Sequence, residues 1–124
     1  MPTRGIRGAT TADANTHAAI LSATRELLDA IIQANHIDTA DIASAYFTMT
    51  PDLDTAFPAR AARDLGWNNT ALLDAQAPGV TGDLPRCIRV LIHWNTNRAA
   101  DEIQHVYLRD ARQLRPDWMT EGTP

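Results

Sequence analysis

The 124-residue sequence predicts an α/β (α+β) sandwich in which one long and one short helix cover a mixed β-sheet. Two observations carry that expectation. Residues 15–35 hold a single long apolar stripe at helical spacing, and the other apolar runs are short and separated by proline, glycine and polar residues, giving the order βαβαβββ. One domain of this length has a real core but is too small for two, so a deep pocket calls for a second subunit.

TRGIRGAT, residues 3–10, reads as the first strand; its glycines permit close backbone approach, and Arg4 and Arg7, three apart, face opposite sides. In the helix over 15–35, Ile20, Thr24, Leu27, Leu28 and Ile31 form the buried stripe, with Asp13, Asn15 or Thr16 as its cap and Asn35 at its end. DIASAYFTM, residues 41–49, alternates as a second strand. After a loop, Pro58 opens a short helix through Leu65, on which Arg60 and Arg63 share a face, and Gly66 stops it. Residues 70–75 make a third strand, and a loop punctuated by proline and glycine runs to Pro85. RCIRVLIHW, residues 86–94, is apolar on both faces except at Arg89 and reads as a central buried strand. A helical turn within RAADEIQHV and a last strand over about 105–114 complete the domain, set at 1–118; the tail 119–124, MTEGTP, is expected to be mobile.

Composition excludes several classes. A net charge of −4 argues against general nucleic-acid binding, which needs a basic surface. All eleven basic residues are arginine, which removes Schiff-base and lysine-base chemistry. Cys87 is the only cysteine, so no intrachain disulfide forms, and MPTRGIRGATT lacks the apolar core of a signal peptide; a cytoplasmic location away from any membrane is the expectation. His17, His36, His93 and His105 are scattered without metal-ligand spacing, Ser22 and Ser44 lie inside regular elements, and no phosphate-binding glycine loop occurs.

What remains is a set of arginines in awkward places. Arg89 interrupts an apolar strand, where a guanidinium is costly unless it meets an anion, either Asp74 or a ligand. With Arg7, Arg60, Arg63 and Arg115, it would suit a small dianion held by bidentate forks.

The blocks TRGIRGATT (3–11), TPDLDTAFPARAAR (50–63), RCIRV (86–90), HVYL (105–108) and LRPDW (114–118) follow in order through nearly the whole chain, and with them the sequence resembles the trimeric α/β chorismate mutases, the AroH class. The resemblance implies a chorismate-mutase-like fold assembled as a pseudo-barrel homotrimer with its active sites between neighbouring subunits. It implies that one subunit contributes Arg7, Leu73, Asp74, Arg89, Tyr107, Leu114 and Arg115, and its neighbour Phe57, Ala59, Arg60 and Arg63, where the family usually has lysine at position 60. The implied reaction is the pericyclic rearrangement of chorismate to prephenate in aromatic amino-acid biosynthesis, with no cofactor, metal, nucleophile or proton transfer. Arg89 would donate to the ether oxygen as negative charge develops there, and the other arginines would hold the two carboxylates.

One departure stands out. Matching Gln76 and the downstream pattern puts Ala77 at the family's catalytic glutamate and Asp74 at its usual cysteine. The expectation is that the charge has moved to Asp74, beside Arg89, with the third strand bent so that both positions line one pocket. The alternatives are a non-catalytic trimeric binder of small dicarboxylates and, more remotely, a Rid-like enamine hydrolase, against which the HVYL and LRPDW blocks argue.

Overall fold

A computed structural model describes residues 1–114. Its elements are β1 (Thr3–Thr11), α1 (His17–Asn35), β2 (Ile42–Met49), α2 (Ala59–Asp64), β3 (Ala71–Gln76), β4 (Cys87–Asn95) and β5 (Val106–Tyr107), with 3₁₀ turns at Thr39–Asp41, Ala100–Glu102 and Arg109–Gln113. The sheet order is β3-β2-β4-β1-β5. β4 runs antiparallel to β1 and β2, whereas β3 is parallel to β2 and β5 parallel to β1, so the sheet is mixed, as the sequence predicts.

Thr16 is the residue that caps α1, its hydroxyl accepting the Ala19 N–H. The helix ends at Asn35, but His36, at φ 56°, takes the left-handed position. Asn35 is instead a buried clamp: its Nδ2 donates to the Ile31 and Gln104 carbonyls, and its Oδ1 accepts the Gln104 N–H. The approach to β5 is thereby tied to the end of α1.

Both helices cover one face of the sheet. Ile6, Phe47, Val90 and Ile92 project into a core shared with Leu27, Leu28 and Ile31 of α1 and with Ala59 and Ala62 of α2. α1 lies close because residue 8 has no side chain. A Cβ on Gly8 would come within 2.6 Å of Ile31 Cδ1 and 3.2 Å of the Val106 carbonyl oxygen.

Two expectations change. β4 is central, yet within one chain it is covered fully on the helix face only; on the opposite face Leu91 stands partly in solvent. The final strand is not ten residues long but two. Arg109, at φ 53°, leaves the strand direction at once, and its guanidinium reaches Asp13 at 2.8 Å and Glu26 at 3.1 Å, fixing the 3₁₀ turn that follows. The tail 119–124 lies outside the described residues.

Candidate active site

Strand alternation sorts the site residues onto the two faces of the sheet. On the open face, away from the helices, Leu73, Tyr46, Leu91 and Arg7 form one cross-strand row, and Ala75, Thr48, Arg89 and Ala9 form the next. Cys87 and Ala9 flank Arg89, and buried Tyr107 packs on them together with Ala111, Leu84 and Leu114. Arg7, Arg89, Tyr107, Leu73 and Leu114 thus belong to one side of the molecule. The Arg7 backbone N–H donates to His105 Nδ1 at 3.0 Å, linking β1 to the segment that leads into β5.

Asp74 belongs to the other side. It pairs with Phe47, which is wholly buried under the helices, and its Oδ1 accepts the Ala59 N–H at 2.9 Å, so it caps α2 from across the edge of the sheet. There it lines a cavity of about 540 Å³ with Phe57, Arg60, Arg63, Met49 and His17. Burial pushes the Asp74 carboxyl above its ordinary value of 3.8, against the opposing pull of the Ala59 N–H and the nearby Arg63. Arg60 projects into the same cavity, with its Nε 3.1 Å from Asp64 one helical turn on. Ala59 is buried in the core and meets the cavity only through its bond to Asp74.

The expectation that Asp74 lies beside Arg89 is therefore not met within one chain. β3 pairs with β2 without a register shift from Ala71 to Gln76, so the expected bend is absent. A charge moved by three residues along a regular strand changes face. Ala77 directly follows β3, is buried, and its N–H donates to the Met49 carbonyl at 2.8 Å. Arg115 lies outside the described residues.

Among the described residues, the anion that meets Arg89 is Asp83, at 3.2 Å from Nη2. Sequence reasoning passed over it as part of the loop. The available signal was an acid next to Gly82 at a turn, six residues before an arginine that needed a partner. Cys87 is buried, and its thiol is pushed up to about 11, chiefly by burial, so it stays protonated at neutral pH.

The chain thus carries two separate groups: Arg7, Arg89 and Tyr107 on the open face, and Phe57, Arg60, Arg63 and Asp74 around the edge cavity.

Comparison with known proteins bears on what the two groups serve. Residues 3–118 match the family described as chorismate mutase type I. A protein of Thermus thermophilus named chorismate mutase AroH is 51% identical over 115 residues, covering 92% of this chain and 94% of its own. One of the same name from Bacillus subtilis is 44% identical over 118 residues, covering 94% and 93%. The solved structure of a chorismate mutase from Clostridium thermocellum superposes with a TM-score of 0.87 at 46% identity, over 88% of this chain and 97% of that one.

Proposed function

The chain belongs to the chorismate mutase type I family and converts chorismate to prephenate in aromatic amino-acid biosynthesis, and we propose that each active site is shared by two copies of it. One copy supplies the open-face group around Arg89, and its neighbour supplies the edge cavity around Asp74. The observation that carries this reading is the placement of two arginine-bearing groups on opposite faces of one sheet. A homotrimer closed into a pseudo-barrel is the assembly proposed. It is supported by the uncovered row on the open face, where the paired Leu73 and Tyr46 are 57% and 45% exposed. A cytoplasmic location is part of the same proposal; among the described residues no helix is long and apolar enough to cross a membrane.

The rearrangement breaks the ether C–O bond while a C–C bond forms at the other end of the enolpyruvyl arm. No proton moves and no covalent intermediate forms, so catalysis rests on holding a reactive conformer and stabilising separated charge. Arg89 donates to the ether oxygen, where negative charge grows. Arg7, with Tyr107 behind it, holds the side-chain carboxylate, and Arg63 and Arg60 of the neighbour draw in the dianion, joined by Arg115. Leu73, Leu114 and Phe57 provide apolar walls, and Ala59 sets the start of the helix that carries the two neighbouring arginines.

Asp74 supplies the negative charge facing the electron-poor ring. Its position at the family's usual cysteine, with Ala77 in place of the usual glutamate, makes it a substitute that acts across the interface rather than within the chain. Among the described residues its Oδ2 has no hydrogen bond, which leaves an acceptor for the ring hydroxyl.

The test is to follow chorismate by ultraviolet absorbance and to identify the product. Turnover to prephenate supports the reading. Binding without turnover would favour the dicarboxylate binder instead.

A further inference from the structure

We propose that Asp83 is the positioning residue for Arg89: it anchors one nitrogen of the guanidinium so that the remaining N–H groups point at the substrate. This rests on the shared-site reading above and adds a residue to it. An arginine on a strand has a long stem with several rotatable bonds, and a donor to a developing charge must be held before the charge appears. β3 offers no help, since Asp74 lies on the far face and position 77 is alanine.

The loop before β4 is built to deliver a carboxylate to this point. The Asp83 N–H donates to the Val80 carbonyl at 3.1 Å, and Gly82 sits at φ 84°, which describes a type II turn whose third position needs glycine. Asp83 Oδ1 then accepts from the Leu84 N–H at 2.8 Å and from Arg89 Nη2 at 3.2 Å. Leu84 anchors the loop in the cluster of Ala9, Cys87 and Tyr107, beside Arg89.

The far end of the loop is fixed as well. Arg86, at φ 49°, donates its N–H to Asp52 Oδ2 at 2.9 Å and its Nε to the Ala12 carbonyl at 3.1 Å. Asp83 and Arg89 side chains are 25% and 24% exposed, so the pair is sheltered yet open to a ligand from one side. A guanidinium has five N–H donors, and one bond to Asp83 leaves the rest of the fork available.

Steady-state kinetics on the full chain test this. Asp83→Asn keeps the acceptor for Leu84 and should leave the thermal midpoint unchanged, while kcat falls about 10²-fold, the scale of a misplaced catalytic group, and KM moves little. Asp83→Glu should recover part of the kcat that Asp83→Ala loses. In an Arg89→Lys background, Asp83→Asn should cost almost nothing further, because its effect passes through the guanidinium. An unchanged or raised kcat in Asp83→Asn, no advantage of Glu over Ala, or a full additional loss in the Arg89→Lys background would overturn the inference. Absence of prephenate formation by the unaltered chain would instead sink the reading on which it rests.

Discussion

The Asp74 carboxylate does two things at once: it caps α2 through the Ala59 N–H, and it lines the cavity occupied by Arg60 and Arg63. Its raised pKa fixes the sign of its contribution to stability. A carboxyl raised in the fold adds stability that is fully present below its unfolded value of 3.8 and is lost as pH climbs through the raised folded value. Asp52 behaves in the opposite way: burial raises its carboxyl, but the Thr50 hydroxyl and the Arg86 N–H outweigh that and lower it, so its contribution is present above 3.8 and lost as pH falls through the lowered folded value. Asp74→Asn retains an acceptor for Ala59 and removes a poorly solvated charge. At neutral pH this variant should be as stable as the parent chain, or slightly more so, while turnover drops on the order of 10²-fold. Unfolding curves and initial rates on the same preparation separate the two effects, and undiminished turnover would remove Asp74 from the mechanism. The sequence exposed Arg89 as an arginine in need of an anion, because a charge inside an apolar strand is visible as such. It did not reveal which acid answers, since that depends on the face each side chain takes and on how the loop before β4 turns.

At the level of elements, α1 and the inner strands were legible because each is a long apolar segment, and the short α2 because Pro58 and Gly66 bracket it. α1 shows a complete stripe, and β4 a largely apolar nine-residue run broken at Arg89. β5 was overestimated because HVYL is β-like in composition, while the determinants of its end are distant: Arg109 is turned by Asp13 and Glu26, more than eighty residues earlier in the chain. Gly8 is a tighter constraint than any propensity. Its missing side chain lets Leu27 and Ile31 lie against β1, next to the position of Arg7. Gly8→Ala should destabilise the fold by about 1–3 kcal/mol through overpacking, read as a lower urea midpoint. A midpoint equal to that of the parent would mean that α1 does not seat on β1 as closely as described.

For the whole molecule, the separation of the two groups by the thickness of the sheet is the dominant fact. Both helices of this chain lie on one sheet face, and the other is left carrying Tyr46, Leu73 and the Arg7 and Arg89 pair of rows. Assembly of copies around that face would both bury it and bring the edge cavity of one copy to the arginines of the next. In a cyclic assembly every interface is of this head-to-tail kind, so each site needs one group from each of two neighbours. The most direct measurement is complementation between two variants, Arg89→Ala and Arg63→Ala, each disabling a different group. Refolded alone, each should show little turnover. Refolded together in equal amounts, they should regain about one quarter of the parent activity, the share of interfaces at which two intact groups meet. A mixture no more active than the two variants apart would contradict the shared site.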